Sequence, residues 1–413
     1  MKTIQPFDFR HIIQANASKS DAQRCLILSA FSKTPTKIYG LDHSDDVQAM
    51  LTCLQELGAI YHPETQIIEP IQDKNQEKVI LNVNESGFAL RTLSFVGMAA
   101  TKELQLLGEG TLQKRDQTQL CQILNQVGFQ IDSSEGRLPL LIQGSVTRSN
   151  FTINGEAGSQ AISGLFMLAP LLKSNTKITI ESLKSQPYLE MTIARMKDFG
   201  ITMQQTDTFS YEIEGQQTYD LPEVHIKGDW SGAANLLVGA AISGTIQVSG
   251  LSANSLQADR AILEALLSFG ATIRWEKELL VIEESNEKQP FEFHIDNCPD
   301  LFPILVILAC AAKGRSSIYG VTRLKNKESD RLLAMSQFLR TNDIHYDIES
   351  DVIHIHGIGS LKGGIVQTFD DHRIAMAGTI SACISENSVE LTDEKCVAKS
   401  YPNFFHDLHS ELI

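Results

Sequence analysis

Six times along the chain a run of small and apolar residues at helical spacing opens on a small, polar or acidic residue and passes into a short β-rich stretch. The runs are SKSDAQRCLILSAFSKTPTKIYG from Ser18, ESGFALRTLSFVGMAATKELQLLG from Glu85, GSQAISGLFMLAPLLKSNTKITIE from Gly158, DWSGAANLLVGAAISGTIQVSG from Asp229, DLFPILVILACAAKGRSSIYG from Asp300 and DHRIAMAGTISACISENSVELTD from Asp371. Their starts lie 67, 73, 71, 71 and 71 residues apart, a register that chance does not keep. A second helical pattern in each unit stops at Gly58, Gly128, Gly200, Gly270 and Asn342, the residue types that close a helix in the left-handed conformation. Alternating stretches such as ATIRWEKELLVIEES and DIHYDIESDVIHIHG follow and predict hairpins. Each unit therefore reads as βαβαββ.

The sixth unit ends in the helix-like YPNFFHDLHSEL with no hairpin, so residues 1 to about 14 are expected to lend it strands. A single core stops growing near about 250–300 residues, which makes two lobes of three units the economical arrangement of 413 residues. The expected lobes are residues 17–227, continuous, and residues 1–16 with 228–413, discontinuous, crossing near Ala15–Ser18 and Ile226–Asp229. The first helix of every unit is apolar nearly all round, hence buried. A buried helix still carries unsatisfied N–H groups and a partial positive charge at its start, so several starts converging on one place make an anion site.

Composition narrows the function. At 42% hydrophobic and 21% charged the chain is ordinary globular protein, and its net charge of −15 argues against a general nucleic-acid or anionic-membrane binder. Seven scattered cysteines, never spaced as CxxC, suggest neither a disulfide framework nor a zinc site and suit a reducing cytoplasm. MKTIQPFDFRHII lacks a signal-like apolar run, and no apolar stretch reaches the about 18 residues a membrane span needs, so an untargeted, cytoplasmic protein is expected. Against that acidic background, cations and polar groups gather at the helix starts: Lys19, Ser20 and Arg24; Arg91; Ser159 and Gln160; Asp300; Asp371, His372 and Arg373. Arg115, Tyr188, Lys327, Glu328, Arg331 and Lys399 sit on the segments that follow. The recurrence at equivalent repeat positions points to a local basic pocket for an anionic ligand. No GxxxxGK[ST] occurs, GIGSLKGG misses the dinucleotide spacing, and Cys25 inside an apolar helix reads as core. His354 and His356 share one face of a predicted strand, either as a metal pair or, more simply, as a solvated face.

SKSDAQR, GEGTLQKRD, GSQAISGLFMLAPL, PDLFPILVILACAAKG, NKESDR, DDHRIAM and DEKCVAKSYPNFF resemble, in order and spacing, the motifs of the EPSP synthases, the 3-phosphoshikimate 1-carboxyvinyltransferases, from about Lys19 to Phe405. The resemblance implies an α/β fold, a two-lobed inverse α/β barrel of six βαβαββ units, three per lobe, with the active site in the cleft between lobes. It implies transfer of the enolpyruvyl group of phosphoenolpyruvate to the 5-hydroxyl of shikimate 3-phosphate, on the route to chorismate and the aromatic amino acids, with no cofactor and no metal. Matching motif positions would place shikimate 3-phosphate on Lys19, Ser20, Arg24, Ser159, Gln160, Ser185, Asp300 and Lys327. Phosphoenolpyruvate would fall to Lys19, Gly87, Arg115, Gln160, Arg331, Arg373 and Lys399. Asp300 is the expected base for the hydroxyl and Glu328 the expected carrier of the methylene proton, with Lys19 the alternative acid. The expected partners are these small molecules alone, with no nucleic acid and no membrane, and the expected state is a monomer. The related transferase acting on UDP-N-acetylglucosamine is the rival enzyme, but the GEGTLQKRD loop lacks its usual cysteine; a catalytically silent homologue is the rival of another class. The chain departs from the family pattern at Glu85, Phe88, Gly158 and Arg323. Glu85 would repel phosphoenolpyruvate unless its carboxylate turned away, paired with a basic residue such as Arg323, while Phe88 is expected to pack into the lobe.

Overall fold

The repeat is visible strand by strand in a computed structural model, which describes residues 1–156 and 158–409. In the second unit the strands Gln76–Asn82, Thr101–Leu107, Phe129–Ser134 and Arg137–Gly144 form one sheet in the order first, second, fourth, third. The first two run parallel, joined through a helix, and the rest pair antiparallel as the hairpin dictates. The other four-stranded sheets repeat this order. The α-helices are α1 (Lys19–Ala30), α2 (Asp45–Glu56), α3 (Gly87–Val96), α4 (Thr118–Val127), α5 (Gln160–Leu168), α6 (Gln186–Asp198), α7 (Trp230–Ser243), α8 (Ile262–Phe269), α9 (Phe302–Ala311), α10 (Arg331–Thr341), α11 (His372–Ser381) and α12 (Phe404–His409). Ser410 to Leu412 of the predicted terminal helix lie outside the described residues.

Two features correct the sequence reading. The N-terminal residues serve two units: Lys2–Ile4 pairs antiparallel with Val389–Leu391 in the sixth, while Phe9–Gln14 lies parallel to Gly244–Ser249 and completes the fourth. The first unit is closed by Glu223–His225, parallel to Thr36–Tyr39. A parallel partner is delivered by a crossover and carries no turn signal, so a repeat can take its opening strand from far along the chain. Asn342 is the other correction: it stays right-handed at φ −97°, and Asp343 takes the left-handed position at φ 53°. The Asn342 side chain donates to the Phe338 carbonyl at 3.1 Å and accepts from the Gly363 N–H at 3.1 Å.

The chain divides into two compact units, Met1–Ser18 with Lys227–Ile413, and Lys19–Ile226. In the first, α7, α9 and α11 pack on one another, and every residue of α9 is buried. Asp229, Asp300 and Asp371, each 71 residues from the next, stand at or just before the starts of these three helices. The two segments that enter and leave residues 19–226 are tied together, with Ala17 bridged to Gly228 and the Asp229 N–H donating to the Asn16 carbonyl at 2.8 Å. In Lys19–Ile226, α3 packs on α5, α5 on α6, and α1 on α2 and α6. Among the described residues no helix is long and apolar enough to cross a membrane, and the seven cysteines are free thiols. Cys25 is one of the core residues, its thiol pKa pushed up by burial.

Candidate active site

In KNKESDRLLA the charged residues divide their work. Asp330 caps α10, its Oδ1 accepting from the Leu333 N–H at 3.0 Å. Arg331, fully buried, aims its fork at three carboxylates: Nη1 to Asp300 Oδ1 at 2.7 Å, Nη2 to Glu328 Oε2 at 2.9 Å, and Nε to Asp371 Oδ2 at 2.8 Å. Lys327 Nζ lies 3.5 Å from Asp300 Oδ1, and Arg373 Nη2 lies 3.7 Å from Asp300 Oδ2. Asp371 caps α11 through the Arg373 N–H at 3.0 Å and also accepts from the Ser329 hydroxyl at 3.0 Å. One carboxylate at a helix start thus fixes both a cap and a buried guanidinium. The turn Lys395–Lys399 packs on α11 and carries Lys399, buried.

Burial opposes the charge on Asp300, but Lys327, Arg331 and Arg373 together outweigh it and hold the carboxyl well below the usual carboxylate range, although its side chain is 28% exposed. Lys327 is pulled down, first by burial and then by the neighbouring guanidinium groups, with Asp300 resisting. Arg373 keeps its charge against burial because Asp300, Asp229 and Asp259 face it. Its Nε and Nη1 are buried and meet no hydrogen-bond partner among the described residues. A charged fork with two idle donors is a ready anion ligand, since leaving such donors dry costs about 1–3 kcal/mol or more.

The Lys19–Ile226 unit holds its own polar set. Lys19 opens α1 with Nζ 2.8 Å from Asp46 Oδ2, and Ser20 follows it, half-buried. Arg24 is buried over the Phe88 ring, 4.6 Å from its centroid, and donates to Thr192 Oγ1 at 2.9 Å, the Ser20 carbonyl at 2.6 Å and the Tyr188 carbonyl at 2.9 Å. Burial lowers its pKa to about 10. Phe88 is accordingly packed in the lobe. Gly87 starts α3 behind Ser86, whose hydroxyl oxygen accepts from the Ala89 N–H at 3.3 Å. A Cβ on Gly87 would stand 2.7 Å from Arg91 Nη1 and 3.6 Å from Arg115 Nη1, so two guanidinium groups crowd this helix start. Arg91 Nη1 also donates to Gln160 Oε1, the first side chain of α5, at 2.9 Å. Ser159, buried, precedes Gln160, and Ser185 precedes α6 in the left-handed region at φ 58°. Such a conformation in a non-glycine residue costs about 1–3 kcal/mol and clusters at functional sites.

Glu85 does not meet this cluster with a bare charge. Its Oε1 accepts from the Thr111 N–H at 2.6 Å, and the Thr111 hydroxyl accepts in turn from Arg115 Nη2 at 2.8 Å. Gly110, at φ 52°, lies directly against Glu85 Oε1, where a Cβ would collide. Arg323 donates to the Asp296 carbonyl. Asp46, Asp371, Ser329 and Thr192 were not foreseen as partners; the aspartate that opens each of the last three repeats was the available signal for Asp371.

The same architecture is found in solved enolpyruvyl transferases. An EPSP synthase of Acinetobacter baumannii superposes with a TM-score of 0.79 at 23% identity, covering 98% of this chain and 96% of that one. The enolpyruvyl transferase NikO of Streptomyces tendae superposes with a TM-score of 0.76 at 12% identity, covering 98% and 96%. The description of the EPSP synthase (3-phosphoshikimate 1-carboxyvinyltransferase) family matches residues 5–408, and the chain belongs to that family. The 3-phosphoshikimate 1-carboxyvinyltransferase of Clostridium botulinum (strain Alaska E43 / Type E3) is 33% identical over 416 residues, 98% of this chain and 95% of the relative. That of Methanocorpusculum labreanum is 32% identical over 403 residues, 96% and 94%.

Proposed function

We propose that the chain transfers the enolpyruvyl group of phosphoenolpyruvate to the 5-hydroxyl of shikimate 3-phosphate by addition and elimination, releasing phosphate, and that it acts as a cytoplasmic monomer. Family membership supports the reaction. The observation that carries the site is Arg373, whose buried Nε and Nη1 lack partners beside Asp300. Both substrates are phosphorylated carboxylates, and bringing them together needs a dense cationic set. Phosphoenolpyruvate is assigned to Lys19, Gly87, Arg115, Gln160, Arg331, Arg373 and Lys399, and shikimate 3-phosphate to Lys19, Ser20, Arg24, Ser159, Gln160, Ser185, Asp300 and Lys327. Among these Arg331 is the lesser anion ligand, because four of its five N–H groups are aimed at carboxylates.

Addition requires a proton at the methylene carbon and the loss of one from the hydroxyl; elimination requires the reverse at the carbon. Asp300 takes the hydroxyl proton. In the free chain Lys327, Arg331 and Arg373 keep its carboxyl ionised, the form that can accept a proton. Glu328, held by Arg331, moves the methylene proton, with Lys19 as the alternative acid. Phosphate release with both substrates tests the reading, with UDP-N-acetylglucosamine offered in parallel as acceptor. Release dependent on shikimate 3-phosphate is expected; release only with the nucleotide sugar, or none, overturns it.

A further inference from the structure

Outside these residues, three metal-ligating side chains meet on the hairpin of the fifth unit. His345 and Asp347 are two apart on the strand His345–Glu349 and so project from one face, and His356 is the direct register partner of His345 on Val352–Ile358. Asp347 Oδ2 lies 3.4 Å from His345 Nε2 and 3.5 Å from His356 Nε2, and the three ligand atoms fall within 4.8 Å of one another, the one such group among the described residues. His354, which the sequence puts on the same face, is drawn away instead: it is buried, with Nδ1 2.9 Å from Ser317 Oγ.

We infer that this face binds a divalent transition ion of the zinc class through His345 Nε2, His356 Nε2 and Asp347 Oδ2. A tetrahedral zinc ion with bonds of about 2.0–2.1 Å holds its ligand atoms about 3.3 Å apart, close to the two carboxylate–imidazole separations. Two imidazoles with one carboxylate suit zinc rather than calcium or magnesium, which want oxygen ligands at larger coordination number. The His345 and His356 rings, 4.8 Å apart and tilted by 40°, need only side-chain rotation to bring their nitrogens together, since both side chains are partly or largely exposed. Arg315, register partner of His356 on the other side, adds a cation to this face, which the Asp347 charge offsets. The fourth position opens to solvent, so the ion acts as a clip across two strands. None of the three ligands has a role in the proposed transfer.

Zinc titration of the full chain, followed by calorimetry and by competition with a chromophoric chelator, tests the site. One equivalent is expected to bind, to raise the melting temperature, and to be lost in the His345→Ala/His356→Ala double variant; Asp347→Asn should weaken it at least tenfold. His62→Ala, which removes another surface histidine set beside Glu64 and Glu69, should leave binding unchanged. Cobalt in place of zinc should give the intense visible absorption of a tetrahedral site in the parent and not in the double variant. Undiminished zinc binding in the double variant, loss in His62→Ala, or no saturable binding by the parent overturns the inference.

Discussion

Arg331 and Asp371 form an ion pair with neither side chain reaching solvent, Nε to Oδ2 at 2.8 Å. The pair joins the start of α10 to the start of α11, and Asp371 is at the same time the α11 cap. Removing one member of such a pair strands the other charge in the interior, at a cost of about 3–5 kcal/mol. Asp371→Ala is therefore expected to lower unfolding free energy in urea by about that amount, and Asp371→Asn, which keeps a capping oxygen, by less. A loss under about 1 kcal/mol for Asp371→Ala would show that Asp300 and Glu328 suffice to hold Arg331.

Asp300 should reveal its cation-suppressed proton affinity in stability against pH. Its carboxyl in the folded chain titrates well below the unfolded value of about 3.9, so its stabilising contribution is complete above that value and fades as pH falls through the folded pKa. Parent and Asp300→Asn are expected to differ in denaturation midpoint by a gap that is constant from pH 7 to about pH 4 and narrows only below. A gap that changes between pH 5 and pH 7 would place the depressed group elsewhere.

The proton carriers have a kinetic signature distinct from that of anion ligands. Asp300→Asn and Glu328→Gln are each expected to cut kcat by about 10²–10⁴ with smaller effects on KM. Arg373→Lys keeps the charge but loses the fork, so its loss should fall on kcat/KM for phosphoenolpyruvate. If both carboxylate variants stay within a few-fold of parent turnover, neither residue moves a proton.

How much of this was readable in advance follows from what each signal encodes. The six units were legible because helix starts keep a period of 71 residues across the last three, and hairpins alternate visibly. The opening strands of the first and fourth units were not, because Glu223–His225 and Phe9–Gln14 join their sheets in parallel from distant positions. In the site, lysines and arginines announced themselves by type against an acidic chain. Their partners did not: Arg24 is held by the Tyr188 carbonyl, which any residue could supply, and Asp371 reads as a plain helix cap until Arg331 is seen on it. His354 departs from its solvated-face reading because it is buried against Ser317, and the nearness of His345 to His356 lies across two strands, where only register reveals it.

Gly87 offers a test that separates binding from folding. Its backbone is right-handed at the start of α3, so alanine is tolerated conformationally, and the nearest atom to a new Cβ is Arg91 Nη1 at 2.7 Å, the mobile end of a side chain. Gly87→Ala should fold with near-parental stability while pushing Arg91 off Gln160 and crowding the anion's approach to the α3 start. A rise in KM for phosphoenolpyruvate of at least tenfold, with the melting temperature unchanged, is expected. An unchanged KM would remove Gly87 from the phosphoenolpyruvate site.

Glu85 is the acidic departure from the family pattern, and its charge decides whether it is a defect. A carboxylate about 6 Å from a substrate anion would cost roughly 3 kcal/mol at an effective dielectric of 20, more than a hundredfold in affinity. In the structure Oε1 is occupied by the Thr111 N–H at 2.6 Å, and Thr111 in turn receives Arg115 Nη2, so the carboxylate organises the turn that presents Arg115. Glu85→Gln keeps an acceptor for Thr111 and removes only the charge. KM for phosphoenolpyruvate is then expected to change less than about fivefold, because a charge turned into the 110–114 turn exerts little on the anion. Glu85→Ala, which strips the acceptor, should raise that KM by loosening Arg115. A tenfold or greater fall in KM for Glu85→Gln would mean instead that the carboxylate faces the anion and that the chain binds phosphoenolpyruvate against its own charge.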